Sequence, residues 1–183
     1  SFRFDAPLDM RMNPSSSTTA SLILEKYTQE DLASLFRRYG GLNNAGALAG
    51  ALVTARSKKP IQTTEDLRIA LQHFIPHTAE HKFLAKVYQA LRIEVNDEMR
   101  SLEGLLNQSI PLLNPGGRLD VITYHSLEDR IVKHFIKESA AAGMLSAVNK
   151  KPVIPSEKEI RENTRARSAK LRAAKKEEDT VHA

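Results

Sequence analysis

Asn114-Pro115-Gly116-Gly117 is the point that most restricts how this chain folds. Proline removes a backbone donor and two successive glycines tolerate backbone angles closed to other residues, so no helix passes through it. Before it, Val87, Leu91, Val95, Leu102, Leu105, Leu106 and Leu113 recur at approximate helical spacing and predict a long helix from about 83 to 113, bent near Asn96-Asp97. After it, the run from Arg118 to Tyr124 has the length and β-branched content of a strand. Ser126-x-x-Asp129 follows with the pattern of a capping box and predicts a helix to about Ala140. Helix, turn, strand and helix in that order predict an α/β unit with a parallel sheet.

Upstream, residues 1–16 read as irregular, with Pro7, Pro14 and a serine run. Four helices are then expected, at about 18–26, 29–38, 42–56 and 64–74. Thr28-x-x-Asp31 and Thr63-x-x-Asp66 mark the starts of the second and fourth, where a hydroxyl caps free amides and an acid meets the positive end of the dipole. Tyr39-Gly40-Gly41 closes the second, and Lys59-Pro60 follows the third. Downstream, residues 139–149 read as a link. Two short strands are expected at Pro152–Pro155 and Ser168–Arg172, around a helical turn at 156–162.

The 183 residues, 41% of them apolar, suffice for one domain or one domain with an insertion. The absence of cysteine excludes disulfides and thiolate metal sites and makes the cytoplasm the expected location. No apolar run approaches the roughly 20 residues that span a bilayer. The net charge of +5 is concentrated: residues 150–176 hold ten Lys/Arg against three Glu, or +7, while 177–179 contribute −3 and the rest about +1. Such a stretch is either a solvated face or a surface for a polyanion. His73, His77 and His81 recur every four residues, but Pro76 interrupts them, so no continuous ligand face and no metal site is expected.

Four segments carry a resemblance. They are Pro7-Leu8-Asp9-Met10-Arg11-Met12; Tyr88-Gln89-Ala90-Leu91-Arg92-Ile93 with Val95-Asn96-Asp97-Glu98; His125-Ser126-Leu127-Glu128-Asp129-Arg130-Ile131-Val132-Lys133; and Arg165-Ala166-Arg167-Ser168-Ala169-Lys170-Leu171-Arg172. In this order and spacing they resemble the ribosomal RNA cytosine-N4 methyltransferase family, often called the MraW or RsmH type. Two departures are a short stretch between Phe135 and Lys151 and Thr164 where a proline is usual. The resemblance implies an α/β, Rossmann-like S-adenosylmethionine methyltransferase fold with an inserted helical domain. On that basis residues 1–16 are a methyltransferase segment, 17–82 the insertion and 83–183 the C-terminal part of the methyltransferase domain. It implies S-adenosylmethionine as cofactor and small-subunit ribosomal RNA, free or in the assembled subunit, as partner, with no membrane and with a homodimer as one allowed assembly. The family's glycine-rich cofactor loop precedes the Pro-Leu-Asp-Met-Arg-Met motif. The main cofactor site is therefore expected in an N-terminal half outside this sequence, and the chain alone is expected to be inactive.

Cytosine's exocyclic amine is a poor nucleophile because its lone pair is delocalised into the ring. Methyl transfer to it requires in-line placement, an acceptor for the amine's hydrogen bond and a pocket for the unstacked base. Asp5, Asp9, His125 and Asp129 are the candidate acceptors. Asp9 and His125 are the expected catalytic residues, with a salt bridge from Asp9 to Arg3 or Arg11, and a turn-bound histidine, as the competing readings. Arg11, Arg165 and Arg167 are the expected substrate-binding residues, the last two as forked phosphate contacts. Met10 and Met12 are read mainly as core filling. The alternatives to an enzyme fragment are a non-catalytic RNA- or protein-binding module of the same fold and an α/β nucleotide-dependent enzyme of another class.

Overall fold

The computed structural model describes residues 5–177, which form two compact units divided between Glu98 and Met99. Arg3 and most of the acidic C-terminus lie outside the described residues. No helix among them is long and apolar enough to cross a membrane.

The first unit is helical: α1 (Ala20–Lys26), α2 (Gln29–Gly40), α3 (Ala45–Lys58), α4 (Thr64–Ala70), a 3₁₀ turn (Gln72–Phe74) and α5 (Glu80–Val95). Both threonine capping boxes form as expected: Thr28 and Thr63 accept from the Asp31 and Asp66 amides, and each aspartate reaches back to the cap. Gly41 ends α2 at φ 59°, a left-handed angle that glycine adopts without a Cβ clash. The core joins Leu24, Leu32, Phe36, Leu48, Leu52, Leu67, Leu84, Val87 and Leu91 across all five helices. Leu8 joins it too, 1% exposed. Phe83 to Val95 pack with the helices before them, and this compact unit runs to Glu98. His73, His77 and His81 fall on the 3₁₀ turn, a connecting turn and α5 respectively.

The predicted long helix is two. After α5 the backbone turns at Asn96-Asp97, with Asp97 at φ 48°, and α6 runs Glu98–Leu112. In the second unit, Asn114 to Gly117 reverse the chain into β1 (Arg118–Thr123), followed by α7 (Ser126–Ala141), β2 (Leu145–Ala147), α8 (Glu157–Glu162), a 3₁₀ turn (Thr164–Ser168) and β3 (Lys170–Lys176). Gly116 sits at φ 77°, and a Cβ on Gly117 would lie 2.8 Å from the Asn114 carbonyl oxygen. The turn pairs with the end of β3, Gly116 N–H to Lys176 O and Lys176 N–H to Gly117 O, while the Lys176 ammonium donates to the Leu113 carbonyl beyond α6.

The fold is mixed helix and sheet, but the expected parallel pairing is corrected: every strand pair among the described residues is antiparallel, in the order β1-β3-β2. Since β1 and β2 both oppose β3, they run the same way, and α7 is the crossover between them. Strand β3 occupies the place between them that a strictly parallel sheet would leave adjacent. Strand β2 was expected to be a link because Leu145-Ser146-Ala147 lacks β-branched residues; burial of Leu145 and pairing with β3 make it a strand. Conversely, Val153 makes a single bridge to Leu171, because Pro152 and Pro155 have no N–H to extend a ladder. The last strand starts at Lys170 rather than Ser168, which lies in the 3₁₀ turn.

The start of α7 is a second correction. The box is His125-x-x-Glu128, not Ser126-x-x-Asp129. The frame moves by one residue because Asp129 faces inward: its carboxylate accepts from Arg172 Nε at 2.8 Å, and from Arg172 Nη2 and Lys170 Nζ at 3.3 Å each. The Arg172 guanidinium beside it, helped by Lys170 and opposed by burial, holds the Asp129 carboxyl below its ordinary value of 3.8. The pair is almost out of solvent, 13% and 11% exposed at its side chains, so losing one partner strands a charge.

Asp129→Asn is expected to destabilise the chain by about 3 kcal/mol, the cost of breaking a largely buried pair, as read by thermal and urea melts. A carboxyl depressed on folding contributes stability that is complete above its unfolded value and is lost as pH falls through the lower folded one. Wild-type stability should therefore decline below about pH 4, with a shallower decline in the Asn variant. Gly117→Ala, forced against the Asn114 carbonyl, is expected to lower stability by about 1–3 kcal/mol.

Candidate functional site

The first group of expected site residues is built on Leu8. Its buried side chain fixes the strand-like segment before α1: Leu8 N–H donates to Gln62 O, Thr64 N–H to Ala6 O, and the Ser21 and Ala20 amides donate to Leu8 O and Asp9 O. Asp9 is thereby set at the amino end of α1. Its carboxylate accepts from Arg11 Nε at 2.6 Å, Arg11 Nη2 at 2.8 Å and the Arg11 amide at 3.1 Å. These Arg11 bonds lower the Asp9 carboxyl from 3.8 to about 2. Arg11 Nη1 donates to the Pro14 and Ser16 carbonyls, so four of the guanidinium's five donors are engaged within the loop. The Asp9 side chain nevertheless stays 47% exposed, leaving lone pairs for another donor.

The methionines part ways. Met10 packs against the core of the first unit, while Met12 is 69% exposed and does not fill a core. Met10 is left-handed, φ 61°, an angle that costs a side-chain-bearing residue energy and persists only where its surroundings enforce it. The enforcement comes from Asn96, whose amide donates to Met10 O and accepts from the Met12 amide. Reading the sequence missed this residue's role. Its partners lie 84 and 86 positions away, and an asparagine at a helix end already has a local explanation.

His125 belongs to the second unit, at the junction of β1 and α7. Its Nδ1 accepts from the Glu128 amide at 3.4 Å, and the Glu128 carboxylate accepts from the Tyr124 and His125 amides. Burial pushes the Glu128 carboxyl up, but His125 and the two amides outweigh it and leave it lowered. Glu128 Oε1 lies 3.3 Å from His125 Nε2, and that buried nitrogen has no hydrogen-bond partner among the described residues. The turn-bound histidine is therefore what the contacts display, with Nε2 left for other work. The remaining acceptors have local tasks: Asp5 accepts from Thr64 and the Glu65 amide at the start of α4, and Asp129 holds Arg172.

Arg165 and Arg167 are exposed on the 3₁₀ turn before β3, so neither lies on the outer face of a strand. Within α8, Lys158 faces Glu162 and Arg161 faces Glu157, each at 3.9 Å, so two of the three glutamates of this stretch are matched by the helix's own cations. Lys170 and Arg172 turn inward to Asp129. The basic stretch thus sorts into paired, buried and displayed charges, with Arg165 and Arg167 among the displayed.

For the cofactor, the glycines are the test. Gly40-Gly41 closes α2, and Gly116-Gly117 joins a helix to a strand. The strand-to-helix junction that is present, Thr123 to Ser126, contains no glycine, and the free amides at the start of α7 are served by its own cap. These residues do not fit the phosphate- or cofactor-cradling loop in which a strand leads through glycines into a helix.

Comparison with known proteins agrees with the motifs. A family model described as the MraW methylase family matches residues 1–177. A protein of Amoebophilus asiaticus named ribosomal RNA small subunit methyltransferase H is 51% identical over 188 residues, covering 96% of this chain and 61% of the relative. Proteins of the same name from Parabacteroides distasonis and Flavobacterium psychrophilum are each 48% identical, covering 96% of this chain and 62% and 64% of theirs. The chain thus spans less than two thirds of the length of these relatives, and with a match running through nearly all of its own residues it belongs to the MraW methylase family.

Proposed function

We propose that these residues serve S-adenosylmethionine-dependent methylation of a cytosine N4 in small-subunit ribosomal RNA. They would do so as the C-terminal part of a Rossmann-like methyltransferase, with 17–82 as its inserted helical domain. The observation that carries this reading is the 48–51% identity, over 96% of the chain, to proteins named ribosomal RNA small subunit methyltransferase H. S-adenosylmethionine would supply an electrophilic methyl group from a site built largely by other residues, since the glycine pairs here do not form its cradle. What this chain contributes is the acceptor side.

On that side Asp9 is the group best suited to receive the amine. Held near a pKa of about 2, it is a carboxylate at any physiological pH, and its half-exposed oxygens can take an N–H bond. Such a group is a weak base but a firm acceptor. It can orient the amine so that the nitrogen's lone pair is freed for attack, while the methylated cation, itself strongly acidic, passes its proton through the half-exposed carboxylate to solvent water. Arg11 would act at the substrate chiefly by holding Asp9, because four of its donors are already engaged. His125 would contribute through Nε2 or by fixing the turn. Arg165 and Arg167 would contact RNA phosphates, positioning the strand without reading its sequence.

In an enzyme of full family length carrying these residues, Asp9→Asn or His125→Ala should slow single-turnover methylation by about 10²-fold or more, with cofactor affinity little changed. An Asp9 carboxyl at about 2 loses its charge only as pH falls toward that value, so the rate should show no acid limb from Asp9 above about pH 4. Wild-type rates in both variants would assign the acceptor to another residue.

Replacing Arg165 and Arg167 together by Ala should lower the slope of log affinity against log salt by roughly 0.7 per lost contact on single-stranded RNA, with sequence preference retained. Unchanged slope at unchanged melting temperature would remove the phosphate assignment.

A further inference from the structure

The Asn96 side chain makes three hydrogen bonds, and only one belongs to its own helix. Its Nδ2 donates to Arg92 O at 2.8 Å, closing the last turn of α5. The other Nδ2 hydrogen goes to Met10 O at 2.8 Å, and Oδ1 accepts from the Met12 amide at 2.7 Å. A helix cap would need the first bond alone. The remaining two bracket Arg11 from both sides, and they fall on the residue held at φ 61° and on the peptide after the Asp9–Arg11 pair. With two carbonyls and one amide as neighbours, only one orientation of the side-chain amide satisfies all three.

We infer that Asn96 is the positioning residue of the Asp9 loop: by clamping the Met10 carbonyl and the Met12 amide it enforces the left-handed turn that aims the Asp9 carboxylate and displays Met12 to solvent. The inference rests on Asp9's acceptor role proposed above. The chemistry demands asparagine here. Aspartate has the length but no donor and would set a charge against two carbonyls; leucine has the shape and neither function; glutamine is one methylene too long. Arg11 does not replace the clamp: its guanidinium ties the Asp9 carboxylate to the Pro14 and Ser16 carbonyls and its amide closes on Asp9 Oδ1, but none of these bonds engages the Met10 carbonyl or the Met12 amide that Asn96 holds. Release of the clamp would move the Asp9 carboxylate without removing it, and a displacement on the order of 1 Å at a reacting group can cost 10²-fold in rate.

The test compares Asn96→Ala and Asn96→Asp with Asp9→Asn in the full-length enzyme, using two readouts. One is native-state trypsin cleavage of the Arg11–Met12 bond, referenced to cleavage at exposed Arg161 and checked against the melting temperature. The other is single-turnover methylation with the KM for RNA measured separately. Cleavage at Arg11 should rise by about tenfold in both Asn96 variants without global unfolding. The methylation rate should fall by about tenfold or more, with KM changed far less. If Arg11 stays protected, or if Asp9→Asn is slow while both Asn96 variants methylate at the wild-type rate, Asn96 is a helix cap and the inference is overturned. If Asp9→Asn itself methylates at the wild-type rate, the acceptor role fails first and takes the positioning role with it, and the cleavage readout still reports whether the clamp exists.

Discussion

Much of the second unit depends on where one carboxylate is sent. Asp129 faces inward from α7, and a charge taken out of water must be met by another. Arg172 on β3 meets it with two bonds, and Lys170 adds a third. That requirement fixes the rotation of α7, moves the helix cap to His125 and Glu128, and takes Arg172 of the C-terminal stretch out of solvent and draws Lys170 to the same carboxylate. It also accounts for the place of β3. The strand that carries the countercharge lies between the two strands that α7 connects, and the sheet is antiparallel throughout its described part.

The first unit uses the same logic with hydrogen bonds instead of buried charge. A short irregular segment, Ala6 to Ser16, has no ladder or helix of its own, and its backbone groups are satisfied partly by its own side chains and partly from outside. Gln62, Ala20 and Ser21 hold the part before Asp9, Asn96 the part after it, and Arg11 ties the carboxylate to the following turn. The result is a carboxylate that is ionised, half-exposed and anchored on both flanks. A freely moving loop with the same residues would have the chemistry and lack the aim.

Charge in the C-terminal stretch is similarly divided by structure. A net excess of basic residues says little by itself, since lysines and glutamates four apart on a short helix serve one another. What matters is which cations remain displayed once Lys158 and Arg161 have paired within α8 and Asp129 has taken Lys170 and Arg172. Arg165 and Arg167 stand on a tight turn whose backbone is held by Asn163 and by Ala166, and this gives their exposed guanidinium groups a fixed base.

The residues alone determined whatever is governed by neighbours along the chain. Threonine boxes, the glycine closing α2, the bend at Asn96-Asp97, the reversal at Pro115-Gly116-Gly117 and the strand after it are local matters of capping and backbone freedom, and they were legible at the level of a few residues. The four motifs likewise sufficed to identify the family, and they singled out Asp9, His125, Arg165 and Arg167. Tertiary structure decided what depends on distant partners. Leu145-Ser146-Ala147 is a strand only because β3 lies beside it; the capping frame of α7 follows from a partner 43 residues away; Asn96 reaches a loop more than 80 positions before it. Hydrogen bonds and ion pairs of this kind are short-ranged in space and unrelated to separation in sequence, so periodicity and local propensity carry no trace of them until the chain has folded and brought the groups together.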